Sequence, residues 1–238
     1  MKVIKLCLLL IFILSGCNKQ NDEINICKFN APRMTKVSFV GVGDNLFHGS
    51  INRSSRQEDG SYDFSDIYEN IVSDVQNKDI AFINQETPIG GESLGISGYP
   101  MFNSPTEIIQ NIYDAGFNLV NLATNHSLDR YEKGIINELK EFKKYEDVIV
   151  DGVYTSQEAF DTIPTFEMKG ITFSFLSYTY STNGIKAPNT YNVSYLNEEQ
   201  IKKDVQKAKE ISDVILVSAH WGSENSFTVS SYQEKYAK

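Results

Sequence analysis

The sequence predicts an α/β fold with an antiparallel portion in its sheet. Three observations carry this. Short apolar runs rich in β-branched and aromatic residues recur along the chain, separated by stretches of helical spacing. Four of these runs end in a polar cluster, where open α/β sheets place their ligands. One pair of runs, 163–168 and 171–178, flanks Lys169-Gly170, and that turn signal predicts a hairpin.

The chain has 238 residues, 41% of them hydrophobic and 12% aromatic, which suits one globular domain with a sizeable core. Its net charge is −9. A nucleic-acid surface needs a basic stripe, so a nucleic-acid partner is excluded. An acidic shell also repels a polyanion unless a metal or local basic residues intervene.

The N-terminus reads as a targeting segment. Lys2 and Lys5 precede the apolar core Leu6–Leu14, which is too short to span a membrane comfortably. Leu14-Ser15-Gly16-Cys17 follows, and small residues before a cysteine resemble a bacterial lipobox. This predicts a signal peptide over 1–16 and a lipid on Cys17. An ordinary secretory signal with a chance cysteine is the alternative. Residues 17–34 are polar and read as a lipid-anchored flexible linker, so the domain over 35–238 is expected outside the cytoplasm, tethered to the cell membrane. Of three cysteines only Cys27 remains, and it reads as incidental, with neither a disulfide framework nor a cysteine metal site.

Within the domain, Val37–Val42 is an apolar strand that ends in Gly43-Asp44-Asn45-Leu46-Phe47-His48. Phe64, Ile67, Ile71 and Val75 are spaced as one helix over about 61–77, with Asp63 or Ser65 as its cap. Ile80–Ile83 is the second strand, ending in Asn84-Gln85-Glu86-Thr87-Pro88. The loop Ile89–Asn103 has no period, as functional lids often lack one. Ser104-Pro105-Thr106-Glu107 reads as a capping box for a helix to Asp114. Phe117–Leu122 is the third strand, followed by Thr124-Asn125-His126-Ser127-Leu128-Asp129. Then come a helix from about Tyr131 to Tyr145, a strand at Val148–Val150, a short helix at Thr155–Phe160 and the hairpin. Thr179–Asn192 is irregular. A charged helix runs from Asn197 to about Ile211, and the strand Asp213–Ala219 ends in His220-Trp221-Gly222-Ser223-Glu224. Ser230 or Ser231 opens a last helix.

All three histidines of the chain fall in the clusters after strands, together with Asp44, Asn84, Glu86, Asn125, Asp129 and Glu224. A histidine satisfied inside the core accounts for any one of them, but poorly for all three. Carboxylates supply charge, imidazoles supply nitrogen and an Asn carbonyl completes a shell, so the set suits one or two divalent metal ions. Two ions can clamp both oxygens of an in-line phosphoryl displacement. Asp129 has two readings. It orients His126 as a general acid, or it caps the helix that follows, and one residue can do both.

Gly43-Asp44, Asn84-Gln85-Glu86-Thr87-Pro88, the Asn125-His126…Asp129 stretch and His220-Trp221-Gly222-Ser223-Glu224 resemble, in order and spacing, the motifs of the CapA family of poly-γ-glutamate capsule biosynthesis proteins. The resemblance covers about Val37 to the C-terminus. It implies a layered sandwich of mixed sheets flanked by helices, of the calcineurin-like metallophosphoesterase type. It implies Asp44, Glu86, Asn125 and His220 as metal ligands, with His48 a ligand or a neighbour of one. It implies His126 as an acid/base group or a phosphate contact; beside it, the residues themselves are read with Asp129 as the catalytic partner of His126 and Asn84 and Glu224 as substrate contacts. His48 departs from the family spacing of ordinary metallophosphatases. The implied function is synthesis or export of an anionic surface polymer, with an anionic polymer or phosphorylated substrate and membrane capsule-synthesis subunits as partners. A non-enzymatic polymer-binding scaffold is the alternative. The family pattern continues with a further strand and a histidine-rich motif, and this chain ends at Lys238 before either. It is therefore expected to be C-terminally truncated, a poor catalyst and marginally stable.

Overall fold

The structure is a computed structural model and describes residues 34–237. The expected signal peptide, the lipid-bearing Cys17 and the linker up to Arg33 lie outside the described residues. From Thr35 onward the chain forms one compact unit.

Four strands, β1 (Phe39–Asn45), β2 (Ile80–Gln85), β3 (Leu119–Asn121) and β4 (Ile149–Asp151), pair in that order, all parallel. A second sheet orders β5 (Thr165–Met168), β6 (Ile171–Thr179) and β7 (Val214–His220). There β5 and β6 form the expected hairpin, with Met168 opposite Ile171, while β7 runs parallel to β6. Lys169 and Gly170 both take positive φ, 54° and 78°, as the two central residues of such a turn must.

The apolar residues sort into layers. Phe47, Phe64, Tyr68, Ile108, Ile112, Val120 and Ile135 belong to a core between the first sheet and its helices. Those helices are α1 (Gly49–Ser54), α2 (Ser65–Tyr68), α3 (Val72–Gln76), α4 (Glu107–Asp114) and α5 (Tyr131–Phe142). Ile80 and Leu119 meet Phe173 and Phe175 between the two sheets. Past the short α6 (Gln157–Asp161), helix α7 (Glu198–Ile211) covers the far face of the second sheet through Ala208, Ile201 and Val205 against Leu176 and Tyr178. The last helix is α8 (Ser231–Tyr236). This is the layered sandwich of mixed sheets flanked by helices.

Three local expectations are corrected. The single helix over 61–77 is two short ones, α2 and α3, because Tyr68 is buried with its hydroxyl on Asn45 and the chain turns there, Ile71 N–H reaching Tyr68 O at 2.9 Å. Asn70, Ile71 and Val72 are also weak helix formers. The capping box at Ser104 does not form. Ser104 is buried, its N–H goes to Pro88 O at 2.9 Å, and its carbonyl takes Gly91 N–H at 3.0 Å. The α4 helix therefore starts at Glu107 without a side-chain cap. Asp129 does not cap α5, whose N-cap is Arg130, and its carboxylate points into the site instead. By contrast Asn197 caps α7 through Gln200 N–H, and Ser230 forms a full capping box with Gln233.

Candidate functional site

The site lies where parallel strands end. The register of β1 slips between Val42 and Asp44, which puts Asp44 opposite Asn84 of β2. Asn121 closes β3 and pairs with Asn84. The segment 123–129 then loops over the sheet edge with every residue buried. His220 ends β7 of the other sheet and reaches the same place.

An amide chain ties these ends together. Asn84 Nδ2 donates to Asp44 Oδ1 at 2.6 Å and lies 3.2 Å from His220 Nδ1. Asn84 Oδ1 accepts from Asn121 Nδ2, whose own Oδ1 takes Ala123 N–H at 3.0 Å. With Asn84 donating to Nδ1, the His220 hydrogen sits on Nε2, which lies 2.8 Å from Asn125 Oδ1. Asp44 Oδ1 is 3.9 Å from His220 Nδ1. Across the cluster, His126 Nε2 is 3.9 Å from Glu86 Oε1, and His126 Nδ1 faces Asp129 Oδ2 at 2.8 Å. A carboxylate only accepts, so Nδ1 carries the hydrogen there.

The electrostatics follow burial. Glu86 is pushed up to about 7, first by burial and then by the adjacent Asp44 carboxylate, with His126 opposing. Burial lowers His220, against the pull of Asp44. Two carboxylates pressed together in this way are what a bound cation would relieve.

Of the residues read from sequence, the structure brings together Asp44, Asn84, Glu86, Asn125, His126, Asp129 and His220. His48 is exposed and is not joined to them by hydrogen bonds; its ring lies edge-on to Phe102, with centroids 5.3 Å apart, and Phe102 stands edge-on to His126 at 4.7 Å. Glu224 is exposed and reaches the cluster only through its charge on Glu86. Sequence reading missed Asn121, Asn183 and Phe102. Asn121 is a polar residue inside an apolar strand run, which is itself a signal. Asn183, at φ 51°, lies 3.3 Å from Asn125 Nδ2 through its Oδ1 and 3.4 Å from His126 Nδ1 through its Nδ2; only its Asn-Gly turn marked it.

Carboxylate, amide oxygen and imidazole suit a hard or borderline ion. Neighbouring ligands on an octahedral ion at ~2.1 Å stand about 3 Å apart, and an ion held by His220 Nε2 and Asn125 Oδ1 would have to replace the hydrogen that now joins them at 2.8 Å. Yet among the described residues no three His, Cys, Asp or Glu side chains gather closely enough to hold an ion alone. The chemistry fits, while the carboxylates stand open as arranged.

The family described as "Bacterial capsule synthesis protein PGA_cap" matches residues 38–238. The "PGA biosynthesis protein CapA" of Bacillus subtilis (strain 168) is 31% identical over 120 residues, which is 50% of this chain and 32% of that protein. The "Capsule biosynthesis protein CapA" of Bacillus anthracis is 24% identical over 215 residues, 85% of this chain and 51% of that protein. The chain thus spans about half, or less, of the length of these curated relatives. Among solved structures, a Staphylococcus aureus protein provisionally assigned as a 5'-nucleotidase, in complex with alpha-ketoglutarate, matches 80% of this chain and 38% of its own at 15% identity. Its TM-score is 0.49. With the family match running through all four motif stretches, this chain belongs to the bacterial capsule synthesis protein family.

Proposed function

We propose that this chain is the metallophosphoesterase-like domain of a lipid-anchored, extracytoplasmic protein that acts in synthesis or export of an anionic surface polymer. Poly-γ-glutamate is the polymer in view, through the names of the relatives. The observation that carries this reading is the meeting of Asp44, Glu86, Asn125 and His220 from the ends of strands in two sheets, beside His126 braced by Asp129.

Asp44, Glu86, Asn125 and His220 would hold a divalent ion. Bound there, the ion would polarise a phosphoryl or acyl oxygen of the substrate. It would also answer the acidic charge that otherwise repels an anionic substrate. His126 presents Nε2 to the site while Asp129 fixes Nδ1, the arrangement of a proton donor to a leaving group. Asn84 positions both Asp44 and His220 through one amide.

The alternative, a polymer-binding scaffold without catalysis, is favoured by one observation, the absence of a closed carboxylate and imidazole set among the described residues. The test separates the two. Purified domain is assayed for bound divalent metal and for hydrolysis of bis(p-nitrophenyl) phosphate. Metal with turnover supports the enzyme reading, and polymer binding without either supports the scaffold. For the anchor, Cys17→Ser should release the protein from the membrane fraction, and unchanged retention and processing would refute lipidation.

A further inference from the structure

Arg130 stands behind the cluster and touches none of the candidate ligands. Its guanidinium joins two segments that are distant in sequence. Nη1 donates to Asp129 O at 2.8 Å. Nη2 donates to Met101 O at 3.0 Å and to Ser97 Oγ. It therefore fastens the loop Ile89–Asn103 to the peptide that carries His126 and Asp129. That same loop delivers Phe102 N–H to Asp129 Oδ2 at 2.7 Å.

This matters because Asp129 is almost wholly buried and its Oδ1 has no hydrogen-bond partner. Its carboxylate is held through Oδ2 alone, by Phe102 N–H and His126 Nδ1. A buried carboxylate with so few donors depends heavily on each of them. The loop also wedges the Phe102 ring edge-on against His126, at 4.7 Å and 90°. Both restraints on His126 thus run through one loop, and Arg130 spans that loop from Ser97 to Met101. Gly134, one turn into α5, leaves the room Arg130 needs: a Cβ there would lie 2.7 Å from Arg130 Cβ.

We propose that Arg130 is a positioning residue that holds the loop Ile89–Asn103 against Asp129 and thereby fixes the orientation and tautomer of His126. The inference deepens the proposed proton-donor role of His126 and rests on it for its functional meaning.

The experiment uses the whole chain and a readout that needs no metal and no turnover. Three histidines make long-range proton–nitrogen spectra simple to assign. In the native chain His126, when neutral, should show a single tautomer with hydrogen on Nδ1, and the Phe102 amide should exchange slowly. Arg130→Ala should give a mixed His126 tautomer and speed Phe102 exchange by about tenfold or more, the signature of a locally opened segment. Arg130→Lys should restore the native signals in part. Gly134→Ala keeps the guanidinium and displaces it, and should reproduce the Arg130→Ala pattern even if Arg130→Ala itself fails to fold. Folded Arg130→Ala or Gly134→Ala protein with native His126 tautomer and native Phe102 exchange would overturn the proposal. If those signals shift while hydrolysis is absent from every form, native included, the positioning claim stands and the catalytic reading falls.

Discussion

Three strand ends, those of β2, β3 and β7, carry the same sequence pattern, an apolar run followed by a polar cluster, and the fold treats the first two differently from the third. At the ends of β2 and β3 the polar residues are buried and locked. Asn84, Glu86, Asn121, Asn125, His126 and Asp129 are all below a tenth exposed. At the end of β7 the chain emerges: His220 is half-buried, and residues 222–229 are exposed, with Phe227 fully so. The cause is position in the sheet. β2 and β3 are interior strands, with helices over one face and the second sheet over the other. Among the described residues β7 has one strand neighbour, β6, and Val214 and Val217 face outward. One half of the site is built into the core, and the other half is held to it by Asn84 and Asn125.

The buried half also carries the strained charges. Glu138 is pushed up to about 8 and Asp151 to about 7, both chiefly by burial, and Glu86 to about 7. Glu138 is buried beneath the site loop and accepts Ile89 N–H at 3.0 Å. In the second region the clear carboxylate shift is downward and superficial, at Glu198 beside Lys202 and Lys235.

The largest expected effect comes from this contrast. The folded pKa values of the three buried carboxylates lie above their unfolded values, so the folded chain binds extra protons between the two. The stability these three groups contribute is therefore full below about pH 4 and is lost as pH rises through about 7 to 8. Urea unfolding across that range reads it. Glu138→Gln keeps the acceptor for Ile89 N–H and should remove the part of the slope nearest pH 8; a profile that rises or stays flat would break the comparison.

Next in size is Asp129→Ala, which leaves the Phe102 N–H buried without its acceptor and His126 without its brace. It should cost about 3 kcal/mol and, where hydrolysis is measurable, about a hundredfold in rate. Asn84→Ala cuts the bridge between the halves. A loss of about 2 kcal/mol is expected, with His220 ring signals broadening while those of His126 hold. Smallest is Glu224→Ala at the exposed end, within about 0.5 kcal/mol of the parent. Equal penalties at Asp129 and Glu224 would erase the distinction drawn here.

Much of this was legible in sequence, for physical reasons. Strand ends followed by Asp, Asn, Glu and His mark the site because apolar runs fix where strands stop. The hairpin was readable from Lys169-Gly170 because few residues tolerate positive φ. Other features were not legible. Ser104 looked like a cap because its spacing to Glu107 is right, and only the tertiary bonds to Pro88 and Gly91 divert it. Asp129 had two readings of equal local merit, and the approach of Phe102 from 27 residues away decided between them. His48 shares a loop with Asp44, yet a short helix begins right after it and leaves its ring beside Phe102. The role of Asn183 depends on a turn with no periodic signal.

The central claim is that the two halves meet to form one divalent-cation site. Equilibrium dialysis of the purified domain against manganese or zinc tests it most directly, with Asp44→Ala from the first sheet and His220→Ala from the second as controls. The account predicts saturable binding by the parent chain and loss of most of that binding in each variant, with both variants folded. Binding of equal strength in parent and variants, or none in the parent, would contradict it.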